Sequence, residues 1–310
     1  MVPGSLVLAL SVQPGWAQDT VGRRFFSDQL LISGPFVEDE LTLPSVLHVR
    51  RLRTEGQPRA LTTQIGAELK KRLTSDLEVS VDGGLTHLNP DGAASRTGFD
   101  NLVVGLKYQI LRDPFHETVA SVALGWEVGG TGRAATGAES FDTVSPSILF
   151  GKGLGDLPET LASFKPFAVA GLLGLALPTR ASSCDISGDT GEVSVRRHPN
   201  ILKWGLVLEY SLPYLESVVT DRGLPSLLNH LVPLVEMDLQ PALDRGGGGK
   251  TIGTANAGAV WVGQSIQIGV EAVVPVNERT GKNVGVRGFI KFDLNILGEG
   301  AGRPIFNTTY

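Results

Sequence analysis

The residues able to do chemistry in this chain are dispersed along it and form no motif. Its five histidines are His48, His87, His116, His198 and His230, and none has the H-x-x-x-H spacing that sets two imidazoles on one helical face for zinc. Cys184 is the single cysteine, which excludes an intramolecular disulfide and any multi-cysteine metal centre. In its Ser/Gly/Asp-rich surroundings it reads as an isolated surface thiol. Residues 246–249 are glycines followed by Lys250 and Thr251, superficially a phosphate loop. The G-x-x-x-x-G-K-[ST] spacing is missing and the run follows Pro-Ala-Leu-Asp-Arg, so it reads as a flexible loop. No nucleophile elbow or dinucleotide fingerprint occurs. We therefore expect no catalytic residue, no cofactor and no metal.

What does recur is a set of acids and bases at alternate positions of otherwise apolar stretches. They are Glu68, Lys70, Glu78, Asp82, Lys107, Glu127, Lys203, Glu209, Glu236, Asp238, Glu271, Arg287, Lys291 and Asp293. Charges so placed either pair into a network that fills an interior or line a watery passage. His48 shares the parity of such positions, beside Arg50. Acids exceed bases on this face, and Glu236 and Asp238 have no base on their own stretch to neutralise them.

Alternation is the property that would position these side chains. In residues 61–70, Leu61, Thr63, Ile65, Ala67 and Leu69 fall on one face of a strand, and Thr62, Gln64, Gly66, Glu68 and Lys70 on the other. Period two over about ten residues is what a strand with lipid on one side and a lumen on the other must show. The pattern repeats at residues 77–85, 101–110 and 202–211. Strands are expected near 40–51, 60–72, 76–87, 100–111, 118–127, 143–151, 166–177, 201–212, 231–240, 251–262, 265–274 and 285–296, about twelve in all. The fold class is all-β: a transmembrane, antiparallel, up-and-down barrel with two short periplasmic helices. No apolar run reaches the ~18–20 residues of a spanning helix.

The connections alternate in kind. Gly/Asp/Asn/Ser-rich segments at 52–59, 88–99, 128–142, 178–200, 241–250 and 275–284 are interleaved with tight turns at 73–75, 112–117 and 263–264, as in barrels with extracellular loops and periplasmic turns. Two short-side connections, 152–165 and 213–230, are long and carry helical spacing, with Asp156 before Pro158 as a cap. The alternative is that one of them folds inward as a plug. Tyr108, Phe150, Phe167, Tyr210, Trp261 and Phe292 fall toward one rim and Trp126 and Trp204 toward the other, two belts of the kind that membrane interfaces favour.

The 310 residues are 42% hydrophobic and 19% charged with a formal net charge of −5; that balance gives no footprint for nucleic acid. Residues 6–12 form a short apolar core and Gly15-Trp16-Ala17 a small-x-small cleavage site, so residues 1–17 read as a signal peptide. Residues 18–36 are then an N-terminal periplasmic segment, 37–297 the barrel and 298–310 a C-terminal tail ending in the aromatic Tyr310.

The run Phe99-Asp100-Asn101-Leu102-Val103-Val104-Gly105-Leu106-Lys107-Tyr108, after a polar loop, resembles a strand of the phenol-degradation meta-pathway outer-membrane proteins. Phe36-Val37-Glu38-Asp39-Glu40-Leu41 is similar to the entry into their first strand. The resemblance implies passage of small, often hydrophobic or aromatic, compounds across the bacterial outer membrane, with membrane lipid, solute and the barrel-assembly machinery as partners. A channel or transporter is the expected function. A closed structural or surface-interaction barrel and a hydrolase at the rim remain alternatives.

Overall fold

A computed structural model describes residues 20–27, 30–51, 59–186, 193–247, 250–298 and 300–306. The alternating stretches form twelve strands: β1 (Glu40–Arg51), β2 (Ala60–Arg72), β3 (Leu77–Pro90), β4 (Leu102–Asp113), β5 (Thr118–Val128), β6 (Thr143–Gly153), β7 (Phe167–Pro178), β8 (Ile201–Tyr210), β9 (Leu231–Pro241), β10 (Thr251–Val262), β11 (Ile266–Pro275) and β12 (Gly285–Asp293). Each pairs antiparallel with its neighbour in sequence, and β12 returns to β1 through Phe292 opposite Leu41 and Asp293 opposite Glu40, which closes the barrel. Closure leaves no unpaired edge, the condition for strands to sit in hydrocarbon.

The outer face is apolar. Leu106, Leu173 and Val270 are 46%, 54% and 57% exposed, and Val81, Leu124, Ile148, Leu206, Val235 and Val286 repeat the pattern on other strands. A belt of half-exposed aliphatic side chains around a whole barrel is matched by lipid, not by water. Trp126, Tyr108 and Phe150 lie on this face near its rims.

Tight turns and two helical connections join strands at one end, here the turn end; the remaining connections lie at the other, the loop end. The connection after β6 carries a 3₁₀ helix, Glu159–Phe164, and the one after β8 an α-turn, Leu212–Tyr214, that widens into a π-turn, Leu215–Val219. Ser211 caps the latter by accepting from the Tyr214 amide. Asp156 does not cap the former, whose N-cap is Pro158 without a side-chain bond; Asp156 instead pairs with Lys152 at 2.9 Å.

Two local departures from strict alternation matter. A bulge between Thr42 and Ser45 shifts the parity of β1, so His48 pairs with outward Thr63 and stands outside, its Nδ1 2.8 Å from Thr63 Oγ1. The expectation that His48 faces the lumen fails because Pro44 falls in this bulge, which inserts an extra residue and flips the positions after it. At the loop end, Arg96–Phe99 continues the line of β4 against β3, interrupted at Asp100 and Asn101.

The largest departure concerns the N-terminal segment. Expected as a periplasmic N-terminal segment, its described residues 20–27 and 30–36 lie against the inner wall of the barrel. The inward element is thus neither helical connection. Its apolar side chains demand burial: Phe25 and Ile32 pack on inward Val207, Val232, Val260 and Phe289, and Phe26 and Phe36 on Val119 and Ala168. Residues 300–306 of the tail fold back on the β2–β3 turn, where Phe306 N donates to Leu73 O at 2.8 Å. The expected signal peptide and Tyr310 lie outside the described residues.

Candidate functional site: the lumen and its plug

The N-terminal segment makes a loop through the turn-end half of the lumen. A small hairpin, Thr20–Val21 with Arg24–Phe25, sits at the rim. The chain then passes β8 and β9, turns near Ser33, and comes back along β6, β5, β4 and β3 into β1. Wall charges hold its backbone. Glu209 accepts from Ser27 N at 3.2 Å and Ser27 Oγ at 2.6 Å. Glu236 accepts from the amides of Leu30 and Leu31, both at 2.8 Å. Arg287 donates to Leu30 O at 3.3 Å and to Glu271 Oε1 at 3.3 Å.

On the returning leg, Ser121 Oγ donates to Pro35 O, Lys107 Nζ to Phe36 O at 2.7 Å, and Glu38 N to Glu78 Oε2 at 2.7 Å. A buried extended chain has no water for its amides and carbonyls, so the wall supplies partners that a sheet otherwise would. Charged acceptors make those bonds strong.

Where the plug becomes β1, four charges interlock. Lys70 Nζ lies 2.9 Å from Glu38 and 2.6 Å from Glu40. Lys291 pairs with Glu40 and lies 3.7 Å from Glu38. Two bases opposite two acids leave this buried set neutral, as burial requires. Asp39, between those acids, faces the other way and pairs with Lys71 and Arg72 at 2.8 Å each.

The remaining candidates divide. Glu127 accepts from Asn101 Nδ2 at 2.9 Å, and Asn101 Oδ1 accepts from Gly132 N, so this pair ties the loop-end connection 129–142 to the wall. Asp100, its neighbour in the family-like run, accepts from Thr86 Oγ1 at 2.6 Å. Asp238 accepts from Gln240 at 2.8 Å with Lys203 on the adjoining strand. Asp293 caps the short 3₁₀ helix after β12. Glu68 and Asp82 are different: they stand directly opposite each other on β2 and β3. Glu68's nearest cation is Lys70 at 3.9 Å, and Asp82 has no ion pair or hydrogen bond among the described residues. Both border a cavity of about 170 Å³ between Leu30–Ser33 of the plug and the wall of β12, β1, β2 and β3.

Toward the loop end the lumen wall carries small side chains. Gly105, Gly125 and Ser145 lie level on β4, β5 and β6, with Ala123 and Ser147 level one step nearer the turns, and all are partly exposed. Small inward side chains on a twelve-strand wall leave space that larger ones would fill.

No protein-family model and no curated protein sequence matches the chain. Among solved structures, an outer-membrane channel from Pseudomonas putida F1 superposes with a TM-score of 0.54 at 12% identity, covering 83% of this chain and 95% of that one. The NanC porin gives 0.46 at 8% identity over 82% and 98%, and LpxR from Salmonella typhimurium 0.40 at 12% over 76% and 89%. The fold is that of a bacterial outer-membrane barrel.

Alternation alone missed the plug and its rim partners Arg24, Glu117 and Tyr214. A signal was present: residues 231–235 read Leu-Val-Pro-Leu-Val, apolar on both faces. A strand with lipid outside needs an apolar inner face only where something apolar lies inside.

Proposed function

We propose that the protein is an outer-membrane channel for passive passage of small solutes, narrowed by its own N-terminal segment. The turn end is periplasmic and the loop end extracellular, which puts Cys184 outside. One observation carries this reading: Glu209, Glu236, Arg287, Lys107 and Glu78 bond plug backbone, whereas Glu68 and Asp82, opposite each other on β2 and β3, do not and border a cavity. Solutes enter at the loop end, over its small inward side chains, and pass the plug beside Glu68 and Asp82. Two opposed carboxylates favour cations in a narrow, partly dry passage. The acids expected to remain free, Glu236 and Asp238, do not supply this preference, because Glu236 holds two plug amides and Asp238 accepts from Gln240.

The test is conductance in planar bilayers. The full chain should give a small, cation-preferring conductance, and removal of residues 20–36 a much larger one. A folded variant without 20–36 that conducts nothing above background overturns the channel and leaves a closed structural barrel, the reading that the plug's saturated contacts favour. Small cations and small aromatic compounds as competing solutes then divide the substrate question.

A further inference from the structure

The plug's two legs are held by different means. The returning leg is continuous with β1 and fixed by the Glu38, Glu40, Lys70 and Lys291 set. The other leg, bonded along its length to Glu209 and Glu236, ends at the turn-end rim in Arg24, whose side chain is fully buried, with Arg112 donating to Thr20 O at 2.6 Å beyond it. Its Nε donates to Glu117 Oε2 at 3.2 Å, Nη1 to Pro166 O at 2.8 Å and Nη2 to Lys165 O, and its guanidinium carbon lies 3.7 Å above the Tyr214 ring centre. Three separate pieces of chain therefore converge on this one plug side chain: the β4–β5 turn, the β6–β7 connection and the turn after β8.

The socket is built without help from the plug. Glu117 Oε1 accepts from Tyr214 OH at 2.8 Å, Oε2 also from Gly155 N at 3.1 Å, and Glu117 O from Gly153 N at 2.9 Å. These bonds hold Glu117 in place with or without Arg24. Glu117 itself sits at φ 47°, a left-handed conformation that a residue with a side chain seldom adopts, and the surrounding bonds are what maintain it. Burial, first, and then the bond to Glu117 push the Tyr214 hydroxyl up to about 12, so it stays a donor across the physiological range. The hairpin seats tightly: a Cβ on Gly22, at φ 64°, would meet Pro114 O at 2.2 Å.

We propose that Arg24 in the Glu117–Tyr214 socket is a releasable latch that sets whether the plug occupies the lumen. On release, Glu117 keeps two donors and the Lys165 and Pro166 carbonyls meet water at the rim, so the socket survives empty and can be re-entered. The hinge is the junction at Glu38, where the covalently continuous leg is pinned. Occupancy of the lumen is read from the plug itself; only the consequence of release, a larger conductance, rests on the channel reading.

The test uses the full chain with Cys184→Ser and Ser27→Cys, in which the thiol at position 27 lies between the plug and Glu209 of the wall. Heat-modifiable migration on gels first confirms that each barrel is folded. With Arg24 present, a small methanethiosulfonate reagent should label position 27 slowly. Arg24→Met keeps bulk over the Tyr214 ring but donates nothing, and should accelerate labelling about tenfold or more, the ratio that one hydrogen bond to a charged group is worth. Glu117→Gln keeps an acceptor and should fall between. Labelling at the parent rate in both variants overturns the latch, whatever the conductance. Faster labelling with raised conductance supports latch and channel together; faster labelling without conductance supports the latch and overturns the channel.

Discussion

Glu236 on β9 and Asp82 on β3 face the same lumen from opposite walls, and their surroundings differ in kind. Glu236 is fully buried and each of its oxygens accepts a plug amide. Asp82 is partly exposed, opposes another carboxylate and borders a cavity. The same residue class at the same strand parity thus serves as a backbone partner on one side and as uncompensated charge on the other. The element that separates them is the plug, whose Leu30 and Leu31 amides bond Glu236 while a cavity lies between its residues 30–33 and the Glu68–Asp82 pair. An inward charge in a barrel acquires its role from what fills the space in front of it.

The wall itself sets the scale for testing that contrast. Leu206→Arg places a cation on the lipid face of β8, which near the bilayer midplane costs about 2–4 kcal/mol. Glu68→Gln, on the cavity side, should change folding into bilayers little. Equilibrium unfolding in lipid measures both, and equal tolerance would remove the membrane barrel and the comparison with it.

Next in size is the plug side. Glu236→Ala leaves two buried amides without an acceptor, each worth about 1–3 kcal/mol when orphaned. Asp82→Ala removes no bond and relieves repulsion with Glu68, so it should be neutral or slightly stabilising. Hydrogen exchange at Leu30 and Leu31 should rise in the first variant and stay at the parent rate in the second. Comparable exchange in both would show that Glu236 does not hold the plug.

All twelve strands and both helical connections were legible because period two and turn chemistry are local properties. The inner contents were not, because the plug couples residues far apart in sequence: Arg24 with Glu117, Ser27 with Glu209, Leu30 with Glu236. Alternation gives Glu209 and Lys107 the parity of the charged face but cannot say that Ser27 Oγ and Phe36 O meet them. The parity of His48 was misread for a simpler reason, since one bulge at Thr42–Ser45 reverses every position beyond it. The Glu38-Asp39-Glu40 run was visible in the sequence, and its partners Lys70 and Lys291 share the parity of the other charged positions on their strands. Their convergence depends on closure between β12 and β1, which no short window contains.

On the cavity side the expected effect is on ions rather than on stability. A carboxylate about 8 Å from a passing cation, at an effective dielectric of about 40, is worth ~1 kcal/mol. Glu68→Gln with Asp82→Asn should therefore reduce the cation-to-anion permeability ratio about fivefold or more. Reversal potentials in a salt gradient read this directly. Glu209→Gln, whose oxygen faces Ser27 and not the passage, should leave the ratio near its parent value unless the plug loosens. A ratio that responds to Glu209 and not to Glu68 and Asp82 would invert the assignment of the two sides.

The smallest effect belongs to a carboxylate outside both environments. Asp156, at the turn end, is held below its ordinary value of 3.8 mainly by the hydrogen bond from Lys152, with a further one from His116 at 3.3 Å. A carboxyl whose value falls on folding adds stability above its unfolded value, and that contribution disappears as pH falls through the lower, folded value. The group is largely exposed, so solvent screening confines its worth to about 0–1 kcal/mol. Asp156→Asn should lower the unfolding temperature slightly at pH 7 and not at all well below pH 3.8. High salt should shrink the difference at neutral pH, because exposed pairs are screened. The Glu236→Ala loss should persist in the same salt, since its amides are sealed between plug and wall. A salt-sensitive Glu236 would mean that water reaches both sides of the lumen, and the contrast between them would then be one of degree.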